Sequence, residues 1–305
     1  MKLNFWKKKQ YDLSVIVIFF NMRREAQRTL YSLSSTYQKN IDNFSYEIIA
    51  IDNGSTEPLE EDFVKAFGGN FRYSFFRANN PSPCEALNYG AQIAQGDLIT
   101  ICIDGARILS PGILHYSILA SKVYENPFVY TLGMHIGLKP QPVLIEENYS
   151  QIDEDKLISS IDWRQDGYSL FDISSVALSS GSGYFSKLTE SNCVTMHRSA
   201  YQQIGGFDED FKSAGGGLTN LDFFNRAHEM ADMKPVMLLG EATFHQFHNG
   251  TATNVPRKDH PWEKMAEEYH MIRGKAYSPL VKSPVYFGSV NPKCYDLFAE
   301  PGQNW

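Results

Sequence analysis

The sequence predicts an α/β fold in which a mostly parallel central sheet has helices on both faces. Two observations lead to this prediction. Short apolar runs alternate along the chain with segments of helical periodicity, and such alternation is typical of right-handed βαβ units. The first run, residues 13–20, is continuously apolar, which is typical of a parallel strand covered on both faces.

The first half of the chain contains most of the predicted sheet. The predicted strands lie at 13–20, 46–51, 71–76 and 98–103. The predicted helices lie at 25–37, 83–94 and 113–124. Pro111 stands just before the last of these, where a proline can begin a helix.

The second half is less regular. Residues 140–188 are polar and aromatic, and they predict loops and short helices over the active face. The elements predicted after them are strands at 193–196 and 236–239 and helices at 199–204, 221–231 and 263–273. We therefore expect one nucleotide-binding and catalytic domain over residues 1–250, followed by an extension over 251–305 that packs on the active face.

Composition excludes several classes of protein. Hydrophobic residues make up 43% of the 305 residues, enough for a large core. The net charge of −7 argues against a nucleic-acid binder. The four cysteines fit no zinc or disulfide pattern, which favours the reducing cytoplasm. No run is long enough for a membrane span. The segment Phe5-Trp6-Lys7-Lys8-Lys9 predicts a peripheral membrane contact, with a frayed terminus as the simpler interpretation.

Polar residues stand at the ends of three predicted strands, namely Asn21, Asp52-Asn53 and Asp104. Ligands of parallel sheets bind beyond the carboxyl ends of the strands. A carboxylate at Asp52 would accept hydrogen bonds from a base or ribose, although a capped turn would explain it equally well. Asp104 at the centre of the sheet suits a divalent cation that bridges a diphosphate.

These segments together resemble the GT-A fold of the family 2 glycosyltransferases, a Rossmann-like fold. The resemblance extends from Leu13 to His248 and rests on Val17-Ile18-Phe19-Phe20-Asn21, Ile51-Asp52-Asn53-Gly54-Ser55, Ala86-Leu87-Asn88-Tyr89-Gly90-Ala91, Ala94-Gln95-Gly96-Asp97, Ile103-Asp104-Gly105-Ala106, and Arg198 with Gly205-Gly206-Phe207-Asp208-Glu209-Asp210-Phe211. It implies that Asn21, Asp52 and Asn53 face the nucleoside and that Asp104 begins the metal-binding Asp-x-Asp motif.

The nucleotide contacts predicted in addition are Phe20, Gly54, Arg77, Asn88, Asp104, Arg257 and Lys258. Of these, Arg257-Lys258 would close over the diphosphate, because a basic loop stabilises a departing phosphate. A solvated pair of charges is the alternative for that dipeptide.

The sequence departs from the family pattern at the metal motif. Ala106 replaces its second aspartate, so a bound ion needs another ligand. A later segment, Gly216-Gly217-Leu218-Thr219-Asn220-Leu221-Asp222, resembles polypeptide GalNAc-transferases, retaining enzymes with a late metal-binding histidine. Here His245 and His248 are the candidates for Mn²⁺ or Mg²⁺. Because the two point to opposite faces of an extended strand, we expect one of them to be a ligand.

The second departure concerns the catalytic base. Asn220 occupies the position at which inverting members of the family have an aspartate, and an amide cannot take a proton. Asp222 and Glu190 are the remaining candidates, in that order. The resemblances leave open whether the anomeric configuration is inverted or retained.

The sequence as a whole predicts a cytoplasmic enzyme, peripheral at the inner face of the membrane or free of it. It would move a sugar from a UDP- or GDP-type donor to a glycan or lipid-linked acceptor in surface polysaccharide synthesis. Two alternatives stay open. A catalytically degenerate relative that binds a sugar or a partner would explain Ala106 and Asn220. A nucleotidyltransferase shares the α/β layout but would need a glycine-rich basic loop after its first strand.

Overall fold

The computed structural model describes residues 11–248, 250 and 252–298. Within these residues there are ten strands: β1 (Tyr11–Phe19), β2 (Tyr46–Asp52), β3 (Phe71–Phe75), β4 (Gly96–Cys102), β5 (Arg107–Leu109), β6 (Pro127–Ile136), β7 (Ser174–Val176), β8 (Cys193–His197), β9 (Lys234–His245) and β10 (Val285–Gly288). The helices are α1 (Arg23–Ser32), α2 (Glu61–Lys65), α3 (Cys84–Ile93), α4 (Ile113–Val123), α5 (Gln141–Glu146), α6 (Gln151–Ser159), α7 (Arg198–Ile204), α8 (Thr219–Glu229) and α9 (Trp262–Arg273). Short 3-10 helices lie at Gly167–Ile173, Leu178–Ser180, Ala214–Gly216, Arg257–Asp259 and Pro292–Phe298.

All these strands belong to one sheet. Their order is β10-β9-β6-β8-β4-β1-β2-β3, with β5 paired to β9 and β7 paired to β6. β8 runs antiparallel to both its neighbours, β4 and β6, and the other neighbours in this order are parallel. The predicted α/β class with a mostly parallel sheet is therefore confirmed.

Helices cover both faces of the sheet, because successive side chains of a strand point to opposite sides. In β1, Ile16 belongs to one buried cluster together with Leu87 of α3. Its neighbour Val15 belongs to the other cluster, together with Leu30 of α1. The continuous apolar run of β1 is thus explained by burial on two faces, as predicted.

The first helix is shorter than its sequence predicts. It ends at Ser32 instead of residue 37. The hydroxyl of Ser32 donates to the carbonyl of Thr29, and that of Ser34 donates to the carbonyl of Tyr31, each at 2.7 Å. Serine side chains that bond to the backbone in this way compete with the helical pattern.

In the second half of the chain, one strand is additional to those that the sequence predicts and another is longer than predicted. β6 was not predicted, although Pro127–Ile136 is buried along almost its whole length. β9 continues to His245 instead of ending at residue 239. The extra length passes through Gly240, which has a φ of +74° and at which a Cβ would overlap the carbonyl of Ser289. Only glycine permits that approach, and beyond it the strand delivers His245 to the functional edge of the sheet.

The described residues contain no helix with the length and apolar character required to cross a bilayer. The segment Phe5-Trp6-Lys7-Lys8-Lys9, predicted as a membrane contact, lies outside the described residues. The four cysteines are buried free thiols.

Candidate active site

A cavity of about 810 Å³ opens at the edge of the sheet where β1, β2 and β4 end. Several residues that the sequence singled out line it: Phe20, Asn21, Asn53, Asp104, Glu190, Asn220 and His248. From the irregular region predicted over the active face, Pro142, Ala177, Leu178 and Ser179 reach the cavity. Trp262, Met265 and Tyr277 line it from the part of the chain after residue 250. The division into two domains at residue 250 stays a prediction.

The polar groups follow one another along the cavity in the order of the strands. Asn53 follows β2, Asn21 follows β1 and Asp104 follows β4. Beyond β4 comes β8, which begins at this edge because it is antiparallel, and Glu190 lies three residues before its first residue. Neighbouring strands are about 4.8 Å apart, so the row from β2 to β8 spans roughly 14 Å.

Asn53 presents an unsatisfied oxygen at one end of this row. Its side chain is 4% exposed, and its Nδ2 donates to the carbonyl of Ser82 at 3.2 Å. Its Oδ1 is buried without a hydrogen-bond partner among the described residues. Buried polar atoms are rarely left unpaired, so a ligand with an N–H group would complete this position. Phe20, at the same end, is 48% exposed.

Asp52 has a different environment from the one predicted. It is fully buried and does not line the cavity. Its Oδ1 accepts the amide N–H of Ser55 at 2.8 Å, and its Oδ2 accepts that of Leu59 at 2.9 Å. The structure therefore gives Asp52 the alternative role, that of capping its own turn, in which Gly54 has a φ of +79°. Asn53, the next residue, takes the place at the cavity.

Asn21 also holds the turn. It adopts a φ of +53°, and its Oδ1 accepts hydrogen bonds from the amide and the hydroxyl of Thr56 at 2.9 and 3.0 Å. Its own amide donates to the hydroxyl of Ser55 at 2.8 Å. The turns after β1 and β2 are thus locked together beside Asn53.

Asp104, His245 and His248 converge at the centre of the row. Nε2 of His245 lies 2.9 Å from Oδ2 of Asp104, and Nε2 of His248 lies 3.8 Å from Oδ1. The two Nε2 atoms are 3.1 Å apart. β9 ends at His245 and the chain turns before His248, so both imidazoles lie close to Asp104 instead of on opposite faces of one strand. The expectation of one metal ligand instead of two stays a prediction. Each of the three residues offers one atom to a possible metal ion.

The hydrogen-bond network fixes the tautomer of His245. Nε2 of Gln141 donates to the carbonyl of His245 at 3.0 Å, and Oε1 of Gln141 accepts from Asn254 at 2.9 Å. That oxygen lies 2.6 Å from Nδ1 of His245, so Nδ1 carries the proton. Nε2 of a neutral His245 therefore presents a lone pair to Asp104.

Burial lowers the pKa of His245 to about 4, with nearby Arg107 acting in the same direction and Asp104 opposing them. His245 is therefore neutral at pH 7. Burial alone would raise the pKa of Asp104, but the charges that His245 and His248 carry when protonated, together with that of Arg107, outweigh burial and hold this pKa well below its usual range. An ionised carboxylate and a neutral imidazole then face each other as two acceptors at 2.9 Å.

The chain that holds His248 is clamped from two sides. The carboxylate of buried Glu154 accepts the amide N–H of Phe247 at 2.6 Å, and Arg24 donates to the carbonyl of Phe247 at 3.3 Å. The amide of His248 donates to Asn254 at 3.1 Å. These contacts turn the imidazole of His248 back toward Asp104. None of Gln141, Glu154 and Asn254 was singled out from the sequence, since their partners lie far away along the chain.

Asn220 and Glu190 meet on the far side of Asp104. Nδ2 of Asn220 donates to Oε2 of Glu190 at 2.8 Å, and both side chains line the cavity. Asp222, ranked above Glu190 as a base, is 2% exposed and does not line it. Its oxygens accept hydrogen bonds from Arg226 at 2.7 Å and from Arg273 at 2.6 and 2.7 Å. The structure therefore places Asp222 in an ion-pair network instead of at the reaction centre.

Three further predicted nucleotide contacts, Arg77, Asn88 and Lys258, do not line this cavity. Asn88 makes hydrogen bonds to Tyr201, Phe207 and Glu209, and joins α3 to the chain before α8. Arg77 is exposed. Lys258 lines a neighbouring cavity, and the side chain of Arg257 lies outside the described residues. Arg107 does line the main cavity, with its Nε 3.5 Å from Oδ2 of Asp104.

Part of the chain matches a known protein family. Residues 14–133 match the model of the family described as glycosyl transferase family 2. The matched segment contains Asn53, Asp104 and Arg107 but neither histidine of the cluster. It ends before Glu190 and Asn220, so the acceptor-side resemblance to GalNAc-transferases stays a prediction.

Two curated proteins resemble more of the chain. Both are named validoxylamine A glucosyltransferase, and they come from two subspecies of Streptomyces hygroscopicus, jinggangensis (strain 5008) and limoneus. Each is 25% identical over 227 residues, which is 71% of this chain. The aligned part covers 51% and 48% of the relatives, so the chain spans about half their length.

Among solved structures, that of S. aureus TarS superposes with a TM-score of 0.50 at 13% identity. The match covers 77% of this chain and 37% of TarS. At this identity the likeness concerns the fold alone, and the predicted GT-A fold is confirmed.

Proposed function

We propose that this chain transfers a glycosyl group from a nucleoside diphosphate sugar, of the UDP or GDP type, to a glycan or lipid-linked saccharide. The family match over residues 14–133 supports sugar transfer in general. The name of the two curated relatives makes glucose the first sugar to test. A role in surface polysaccharide synthesis is part of the same proposal.

The observation that carries the proposal is the order of groups along the cavity. Asn53 with its unpaired oxygen lies at one end, the Asp104–His245–His248 cluster lies at the centre, and Glu190 lies beyond it. A nucleoside diphosphate sugar has the same order of parts, namely base, diphosphate and sugar. The base would stack near exposed Phe20 and donate an N–H to Asn53.

We propose that Asp104, His245 and His248 hold one divalent cation. The donor set fits such an ion, because two imidazole nitrogens lie 3.1 Å apart and each lies 2.9–3.8 Å from a carboxylate oxygen of Asp104. A single proton on His248 would satisfy one of these contacts and leave His245 and Asp104 facing each other as acceptors. A bound cation would neutralise charge on the diphosphate leaving group. With two imidazoles in the set, Mn²⁺ is a better match than Mg²⁺, which prefers oxygen ligands.

Other residues of the chain supply a further positive charge for the diphosphate and form the walls of the site. Arg107, 5% exposed, puts a fixed positive charge beside Asp104 and would contact a phosphate oxygen. Trp262, Met265 and Tyr277 cover the cavity and would exclude water from the transferred sugar.

The two alternatives make different predictions. A nucleotidyltransferase would need a glycine-rich basic loop after β1, and Phe20-Asn21-Met22 is not one. A degenerate relative would bind a donor without turning it over. The convergence of His245 and His248 on Asp104 favours an active enzyme, because it compensates for the aspartate that Ala106 replaces.

The test uses the full chain and a panel of UDP- and GDP-sugars, beginning with UDP-glucose, with and without Mn²⁺. We expect one donor to raise the melting temperature more strongly with Mn²⁺ present, since a ligand of the folded state stabilises by mass action. The same donor should be hydrolysed slowly to the nucleoside diphosphate. Stabilisation without hydrolysis or transfer would favour the degenerate relative, and no stabilisation by any donor would contradict the proposal.

A further inference from the structure

Among the described residues that line the cavity, Glu190 is the one carboxylate besides Asp104, and it could accept a proton from a ligand. It lines the cavity, and its Oε2 accepts the only hydrogen bond that it forms among the described residues, from Asn220 at 2.8 Å. Its Oε1 is left for a ligand. Asp222, the other candidate, has both oxygens occupied by arginines.

The sheet fixes where Glu190 stands relative to the metal cluster. Cys102 of β4 pairs with Cys193 of β8, and the amide of Ile103 donates to the carbonyl of Asn192 at 3.2 Å. The two strands run antiparallel, so the residues after Ile103 and those before Asn192 leave the sheet side by side. Asp104 and Glu190 therefore stand at the same edge, just beyond the ends of neighbouring strands, although they are far apart in the sequence.

We propose that Glu190 is the catalytic base of the transfer and that Asn220 positions it. This inference rests on the proposed function. The acceptor O–H proton moves to the free Glu190 oxygen as the acceptor oxygen forms a bond to the anomeric carbon. The bond from that carbon to the diphosphate breaks, and its electron pair leaves with the diphosphate oxygen. The attack comes from the face opposite the leaving group, so the anomeric configuration is inverted.

Asn220 has a defined part in this arrangement. It stands at the start of α8, at the position where the family resemblance implies the usual base. Its amide instead donates a hydrogen bond to the carboxylate of Glu190, in the segment before β8. Tyr277 lines the same cavity from the C-terminal part, and its pKa is raised to about 12 mainly by burial, with the charge of Glu190 acting in the same direction. It stays a neutral phenol at physiological pH. The acceptor hydroxyl would thus enter between a carboxylate, an amide and a phenol.

The test measures hydrolysis of the donor that the wild type turns over, with water as the acceptor. Glu190→Gln keeps the shape but removes the basic oxygen, and we expect at least a roughly 100-fold lower kcat with unchanged donor affinity, since a general base contributes about 10²- to 10⁴-fold. Glu229→Gln, at an exposed position of α8, is the matched control and should be unaffected.

Two further measurements separate a catalytic role from a structural one. Glu190→Ala should be rescued about tenfold by added formate, a small carboxylate that enters the vacated space. Asn220→Ala should lower kcat while leaving KM for the donor unchanged, as expected for a positioning residue.

Particular outcomes would overturn the inference. Glu190→Gln with wild-type turnover, or a transfer product with retained anomeric configuration by NMR, would contradict it while leaving sugar transfer intact. A wild type that neither binds nor hydrolyses any donor would instead contradict the proposed function. Loss of turnover in Glu190→Gln together with formate rescue of Glu190→Ala would support it.

Discussion

The side-chain oxygen of Gln141 lies 2.6 Å from Nδ1 of His245, and this contact directs the lone pair of Nε2 toward Asp104. Gln141 is fully buried and comes from α5, which lies more than a hundred residues earlier in the chain. Such outer contacts commonly decide how well a histidine binds metal.

We predict that Gln141→Met weakens Mn²⁺ binding by about 10- to 100-fold, since methionine fills the space but cannot accept the Nδ1 proton. The measurement is calorimetric titration of the nucleotide-free protein with Mn²⁺. Gln202→Met, at an exposed position of α7, is the matched control. Equal affinity in both variants would show that Gln141 does not orient a ligand.

Asp104 should decide whether Mn²⁺ stabilises the protein at all. At a Mn²⁺ concentration of 100 times its Kd, the wild type should gain about 2.7 kcal/mol in free energy of unfolding. Asp104→Ala should lose this gain, whereas Asp42→Ala, at an exposed position, should keep it. The comparison is made by thermal unfolding with and without chelator. The same Mn²⁺ response in all three proteins would place the ion elsewhere.

Substitutions of Asn53 and Asp52, at the end of β2, should have different effects, one on nucleotide binding and the other on stability. Asn53→Ala removes the unpaired cavity oxygen and should weaken binding of a nucleoside diphosphate by about 1–3 kcal/mol, with a loss of stability limited to about 1 kcal/mol for the hydrogen bond to Ser82. Asp52→Asn should instead reduce the free energy of unfolding by about 1–3 kcal/mol, because its carboxylate caps two amides of the turn. Calorimetry and urea unfolding measure the two effects. The reverse pattern would restore Asp52 as the nucleoside contact.

Glu241 predicts a particular pH dependence of stability. Burial raises the pKa of this carboxyl from 4.5 to about 7, against hydrogen bonds from Ser110, Tyr168 and Gly112. The folded state therefore binds more protons than the unfolded state between these values. Its contribution to stability is greatest below pH 4.5 and falls as pH rises to 7, by about 3 kcal/mol in total.

The variant Glu241→Gln should lack this dependence. We expect the wild type to lose stability relative to Glu241→Gln between pH 5 and pH 8 in urea unfolding. Glu146→Gln, an exposed substitution, should follow the wild type. Parallel curves for wild type and Glu241→Gln would mean that the carboxyl titrates normally.

Much of the nucleoside half of the site could be predicted from the sequence, because it depends on local order. A strand followed by a polar residue is a short-range pattern, and in a parallel sheet the ends of such strands meet at one edge. This argument located Asn21, Asn53 and Asp104. It did not show whether Asp52 or Asn53 lines the cavity. The side chains of adjacent residues in a turn point in different directions, and the sequence pattern does not reveal which one points to the cavity.

The acceptor half depends on long-range contacts that no local pattern reveals. The sequence ranks Asp222 as the first candidate base because Arg273, which contacts both of its oxygens, follows 51 residues later. The Glu190–Asn220 hydrogen bond joins residues 30 positions apart. The strand at Pro127–Ile136 has a usable signal in the apolar and aromatic residues Pro127-Phe128-Val129-Tyr130 that follow Asn126.

The pairing of Cys102 with Cys193 joins two positions that are 91 residues apart. The separation of Asp104 and Glu190 is therefore set by one ladder of backbone hydrogen bonds and is independent of the length of the chain between them. Insertions or deletions within residues 138–188 that leave Gln141 and Glu154 in place would reshape the entrance without changing that separation. A new acceptor specificity could thus be grafted onto this scaffold by exchanging the parts of this region that do not hold His245 and His248, with the reaction centre left in register.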